Sequence, residues 1–176
     1  MKLIKQLAAL VLTVPAIALA EPKLSKDWAW DLSGSDYAYA ATHNAEGRVL
    51  GQYCYFNEGA CFYQVSLGVT CNKGAQYPSI LNSSSGAAEV RLVCSHRQNG
   101  DNVFVVAPFE GVDKLVKEAS DLGFAVAMEQ GQFKVIRFSL SGSEHAITAM
   151  RDAAKALDNA SQNQTGKMVL MSEEYL

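Results

Sequence analysis

The sequence predicts an α+β fold: one β-rich domain with an antiparallel sheet of about seven to ten short strands, two helices in the C-terminal half, and disulfide bridges. Three observations carry this. From 28 to 107 the chain alternates in steps of two, is rich in tyrosine and valine, and is punctuated by glycine and asparagine turns. Near 111–122 and again near 143–158 the apolar spacing becomes helical. Four cysteines, an even set, follow a segment built like an export signal.

That segment is residues 1–20. Lys2 and Lys5 precede an apolar run over 7–17 that is broken by Pro15, and Ala18-Leu19-Ala20 is a small-x-small cleavage site. The pattern predicts a Sec signal peptide cut before Glu21, and a mature chain in the periplasm or secreted. The apolar run is short for a bilayer, so no transmembrane segment is expected after cleavage. No cysteine follows the cut, which argues against a lipid anchor. Two of the 15 basic residues lie in the leader, so 13 remain against 18 acidic ones and the mature domain carries a charge of −5. With no lysine or arginine cluster, nucleic acid and anionic membrane are poor partners.

The elements follow in order. Residues 28–32 alternate and end at Ser33-Gly34-Ser35. In the next strand Tyr37 and Tyr39 share one face, Ala38 and Ala40 the other. Asn44-Ala45-Glu46-Gly47 turns the chain into 49–56. Asn57-Glu58-Gly59 is a hairpin loop with glycine in the left-handed position, and 60–67 returns. Residues 69–72, 79–82 and 88–96 are further strand candidates, separated by Lys73-Gly74 and Ser83-Ser84-Ser85-Gly86. Asn99-Gly100 signals a turn before 103–107.

Val112, Leu115, Val116 and Ala119 then recur at helical spacing, with Asp113/Lys117 and Lys114/Glu118 as charge pairs on the exposed side. Gly123 is placed to end this helix. Residues 124–128 and 133–140 form a hairpin around Gln130-Gly131-Gln132. Ser141 and Glu144 have capping-box spacing ahead of the stripe Ala146, Ile147, Met150, Ala154 and Leu157. From Asn159 the chain turns polar. The predicted organisation is therefore a signal peptide over 1–20, one globular domain over 21–158 and a flexible tail over 159–176.

In an oxidising compartment Cys54, Cys61, Cys71 and Cys94 are read as two structural disulfides. They show neither the tight pairs of a zinc site nor a Cys-x-x-Cys redox motif. Three connectivities are open. Cys54–Cys61 with Cys71–Cys94 is preferred, because the first pair brackets a turn; a hairpin loop offset at Gly59 would send Cys54 to Cys71 or Cys94 instead. No metal or cofactor is expected.

Catalytic constellations are missing from the pattern. His43, His96 and His145 lack any metal-ligand spacing, and the serines of 83–85 and 139–143 have turn or cap explanations rather than a Gly-x-Ser-x-Gly setting. No catalytic residue is assigned. The N-terminal half instead concentrates aromatics: Tyr37, Tyr39, Tyr53, Tyr55, Phe56, Phe62, Tyr63 and Tyr77. If Cys54 is bridged and buried, alternation turns Tyr53 and Tyr55 outward, and Tyr37 and Tyr39 offer a second outward pair. These four form the candidate binding face, since tyrosine suits recognition surfaces.

The stretch FKVIRFSLSGSEHAITAM (133–150) places Ser139-Leu140-Ser141-Gly142 between a strand and a helix that opens with Ala146-Ile147. Together with a cysteine-bearing strand, a short helix and a strand pair before it, this resembles the C-terminal part of the invasion-associated locus B family of exported bacterial proteins. Loosely, the pattern covers 28–157. The resemblance implies a small periplasmic or envelope-associated β-rich domain with cysteine bridges and a role at the envelope or host interface, and it supplies no catalytic residue. The combined expectation is a non-enzymatic exported protein whose partner is another protein or an envelope component. Two alternatives stand beside it: a periplasmic inhibitor or immunity protein against a toxin, and a small periplasmic hydrolase or thiol-redox enzyme.

Overall fold

A computed structural model describes residues 21–33, 36–127 and 131–173, with side chains to residue 159. The leader and Gln130 therefore lie outside the described residues. The strands are β1 (Lys23–Ser25), β2 (Trp28–Ser33), β3 (Tyr37–His43), β4 (Val49–Tyr55), β5 (Ala60–Ser66), β6 (Gln76–Ser83), β7 (Gly86–Gln98), β8 (Asp101–Ala107), β9 (Asp121–Ala127) and β10 (Phe133–Ser139). Helix α1 (Phe109–Glu118) connects β8 to β9, and α2 (Ser143–Glu173) follows β10. All ten described strands form one sheet in the order β1-β2-β3-β4-β5-β8-β7-β6-β9-β10, every pairing antiparallel.

The sheet is β-rich and late-helical as its alternation predicts, and one face of it makes the core. Ala38, Ala40, Leu50, Cys54, Tyr63, Val65, Leu81, Leu92, Phe104, Val106, Phe124 and Phe138 are buried at alternate strand positions. Val112, Leu115 and Val116 of α1 and Ala146, Ile147 and Met150 of α2 pack against them. The two ends of the sheet approach one another. Trp28 Nε1 donates to the Ser139 carbonyl at 3.1 Å, Asp27 N–H donates to Ser141 O, and Asn44 Nδ2 donates to Arg137 O. Gly142 lies in this seam at φ +91°, and a Cβ there would sit 2.0 Å from the Ser25 carbonyl oxygen, so only glycine fits.

Several boundaries differ from the sequence reading. Strand β1 precedes the first strand expected from the sequence; at three residues, with Leu24 exposed, it carries no burial period to read. Residues 69–72 are not a strand. Gly68, at φ +64°, turns the chain out of β5, and the segment is then held by the Asn102 Nδ2 bond to Val69 O and by the Cys71 bridge rather than by a ladder. Helix α1 ends at Ala119, whose N–H bonds Leu115 O, and Gly123 lies within β9 opposite Arg137. The Ser141/Glu144 capping box is replaced by another junction. Ser143, already helical, donates its hydroxyl to the Val116 carbonyl, which ties α2 to α1. Helix α2 runs to Glu173, past the 158 boundary expected for it.

Both bridges are intramolecular: Cys54–Cys61, with Cα atoms 4.0 Å apart, and Cys71–Cys94, at 6.0 Å. Register explains the first. Tyr55 pairs with Ala60 and Cys54 with Cys61, so the loop over 56–59 closes without an offset, with Gly59 at φ +59°. No cysteine is free.

Candidate functional site

The side chains that alternate with the core on β3, β4 and β5 face outward and are aromatic. Tyr37 lies opposite Tyr55, Tyr39 opposite Tyr53, and Tyr53 opposite Phe62. Cross-strand neighbours at this spacing touch. Ring centroids are 5.6 Å apart for Tyr37–Tyr55, 6.0 Å for Tyr37–Tyr53 and 6.3 Å for Tyr55–Phe62, while Tyr39 and Tyr53 stack at 6.1 Å. All five are half-buried. The structure thus brings together the four tyrosines singled out in the sequence and adds Phe62. The other aromatics part company with them. Tyr63 is fully buried and donates to Asp113, and Tyr77 packs edge-on against Phe104.

Burial, reinforced by the neighbouring phenols of Tyr37, Tyr55 and Tyr39, pushes the Tyr53 hydroxyl up to about 12. Tyr39 is raised for the same first reason, with the Asp31 charge adding. Tyr63 is raised further by burial and by Asp113. A phenol held above its unfolded value near 10 stabilises the fold fully below about pH 10, and that contribution is lost as pH rises toward the folded value. We expect a spectrophotometric titration to leave Tyr53 and Tyr63 protonated until the fold itself gives way above about pH 11. Full tyrosinate absorbance reached while the circular dichroism is still native would contradict this environment.

Beside Tyr53 the face drops into a cleft of about 140 Å³. Its walls include Tyr53, Gln64, Ser66, Asp101 and Val103. Sequence reasoning missed these polar residues because Gln64 and Ser66 sit in an apolar strand and nothing local marks them. The cleft arises from β7 and β8. A bulge between Cys94 and Arg97 bends this hairpin, and the Asn99-Gly100 turn, with both residues at positive φ, forms one rim. Gln64 is 7 % exposed and Ser66 8 %. Gln64 Nε2 donates to the Tyr55 hydroxyl at 3.0 Å, and Ser66 Oγ accepts from Val49 N–H at 2.9 Å. Arg48 Nη1 forms a salt bridge with Asp101, one of the residues that line the cleft. The Arg48 guanidinium passes over Gly68, where a Cβ would lie 2.4 Å from it.

Two other surface features lie apart from this face. A groove of about 710 Å³ follows the seam, with Trp28 and Phe138 at its base and His43, Asp121 and Arg137 along it. Its carboxylates are engaged: Asp27 accepts from Ser139 and Asp121 pairs with Arg137. An apolar groove on β6, β9 and β10 carries Ile80 and Phe133, the latter 69 % exposed. The histidines do not converge. His43 closes β3, His96 lies on the β7 bulge and His145 is in the first turn of α2, all exposed. Among the described residues no group of three or more His, Cys, Asp or Glu side chains could hold a metal, and no helix is long and apolar enough to cross a membrane.

A comparison with solved structures decides how this architecture is placed. It matches the crystal structure of invasion associated protein B from Bartonella henselae over 77 % of this chain and 99 % of that one, with a TM-score of 0.58 and 12 % identity. The two share a fold. No family model matches the sequence, and no curated protein does. At that identity the likeness to the Bartonella protein concerns the β-rich architecture, and the tyrosine face stands on this chain's own residues.

Proposed function

We propose that this chain is an exported, non-enzymatic protein of the periplasm or cell exterior that binds another protein or envelope component through the Tyr37–Tyr39–Tyr53–Tyr55 face. One observation carries the reading: five aromatic rings lie in mutual contact on the solvent side of the sheet, where core packing does not require them. Tyrosine in this setting supplies large amphipathic contact area that is already ordered, so little entropy is lost when a partner docks. The leader over 1–20 and two disulfides support export, and the fold likeness to a protein called invasion associated supports a place at the envelope or host interface.

The test is capture from an envelope fraction. The wild-type mature protein should retain a partner identified by mass spectrometry, and a folded Tyr37→Ser/Tyr39→Ser/Tyr55→Ser variant should lose it. Equal capture by both proteins overturns the assignment of this face.

A further inference from the structure

We propose that the cleft beside Tyr53, with the tyrosine face leading into it, binds an uncharged saccharide, one sugar ring sitting in the cleft and the following residues running over the tyrosine rings. This names the ligand class for the face described above and rests on that face being the binding surface.

Size is the first argument. The cleft is open and, at about 140 Å³, close to the about 150 Å³ cavity that holds one benzene, so it takes one face and edge of a single sugar ring and not a second ring. Chemistry is the second. A sugar offers C–H faces that pack on aromatic rings and hydroxyls at its edges that donate and accept. The cleft supplies the Tyr53 ring as one wall, with the amide of Gln64 and the hydroxyl of Ser66 beside it. Both of these polar side chains are more than nine-tenths buried and fixed by their own hydrogen bonds. Gln64 uses one amide hydrogen on Tyr55, and Ser66 uses an acceptor site on Val49, so each keeps hydrogen-bonding capacity to offer a ligand.

Charge is the third argument. The one carboxylate lining the cleft, Asp101, is paired with Arg48, so the cleft presents no unpaired charge to attract an ion. The Tyr53 phenol, neutral at pH 7 like any tyrosine, is a further group able to donate and accept. Topology argues against an extended peptide. Strands β4 and β5 are interior, paired on both sides with β3 and β8 at their flanks, so no free backbone edge lies under this face for a peptide main chain to join.

The experiment is an NMR titration of the mature protein with short neutral oligosaccharides of glucose, galactose and N-acetylglucosamine, and with a uronic-acid oligosaccharide as the charged comparison. At least one neutral oligosaccharide should shift the Gln64 side-chain amide and the Tyr53 ring resonances. Gln64→Met and, separately, Ser66→Ala should each weaken binding by roughly tenfold, the loss of one hydrogen bond of about 1.4 kcal/mol. Tyr53→Phe keeps the ring and should weaken it less, and Phe133→Ser in the distant apolar groove should leave it unchanged. Binding only of the charged oligosaccharide, or undiminished binding in both cleft variants, overturns the assignment. If no saccharide binds while the triple tyrosine variant still loses its envelope partner, the saccharide assignment falls and the binding face stands. If neither responds, both fall.

Discussion

Replacing Trp28 by alanine is expected to destabilise the fold by about 4 kcal/mol, within the range for emptying a buried aromatic site. Trp28 is fully buried, so its removal leaves a cavity on the core face of β2. It also removes the bond from Nε1 to the Ser139 carbonyl, which joins β2 to β10 across the seam. The neighbouring contacts depend on the same junction: Thr42 Oγ1 donates to Asp27 O, and Asp27 Oδ2 accepts from Ser139 Oγ. The urea midpoint and the melting temperature should both fall, the latter by roughly 10 °C or more for a domain of this size. Trp30 is the control. It is only partly buried, with the Lys23 ammonium 4.5 Å above its ring, and Trp30→Ala should have a clearly smaller effect.

Replacing Asp113 by alanine should remove about 3 kcal/mol, through a different mechanism. Sequence spacing presents Asp113 as one half of an exposed helix pair with Lys117, and that pair does form, at 3.0 Å. The carboxylate has a larger role. It accepts from the Tyr63 hydroxyl at 2.8 Å and from Arg151 of α2, and Arg151 Nε in turn donates to Gln52 Oε1 at 2.7 Å. One side chain thereby joins α1, α2, β4 and β5. Without it the buried Tyr63 hydroxyl loses its acceptor, and the Arg151 guanidinium loses its carboxylate partner and keeps only Gln52. Burial pushes the Asp113 carboxyl up, but the hydrogen bonds from Lys117, Tyr63 and Arg151 and the charge of Arg151 outweigh it and hold the group below the ordinary carboxylate value. A depressed carboxyl contributes stability above its unfolded value near 4, and that contribution disappears as pH falls through the folded value. The difference in stability between wild type and Asp113→Ala should accordingly be full near neutrality and shrink in acid. A difference that stays constant down to pH 2 would remove the ionic part of this account.

What was legible in the sequence and what was not divides along physical lines. The alternation of Tyr37, Tyr39, Tyr53 and Tyr55 with Ala38, Ala40 and Cys54 is a local period of two, and the fold preserves it intact. The Cys54–Cys61 register could be read because a short loop fixes cross-strand partners. The strand order could not, because β8 inserts beside β5 and β9 beside β6 through pairings between residues distant in sequence. The cleft was hidden for the same reason. Gln64, Ser66 and Asp101 meet only once β5 and β8 are paired and the β7–β8 hairpin is bent by its bulge. Asp113 misled as a surface residue because helical spacing reports its partner four residues on and is silent about a helix that arrives 38 residues later.

The core and the tyrosine face are the two sides of the same strands. Burying Ala38, Ala40 and Cys54 fixes the outward orientation of the rings, and the Cys54–Cys61 bridge holds the two strands that carry Tyr53, Tyr55 and Phe62. The sheet thus presents the aromatic surface already assembled. The most direct measurement is the envelope capture repeated with a photo-crosslinking amino acid placed at Tyr37 or Tyr55 in one set of proteins and at Ile80 or Phe133 in another. Covalent capture of the same partner from the tyrosine positions, and not from the apolar groove, is the result predicted. Capture only from Ile80 or Phe133 would contradict the account and move the binding surface to the other end of the sheet.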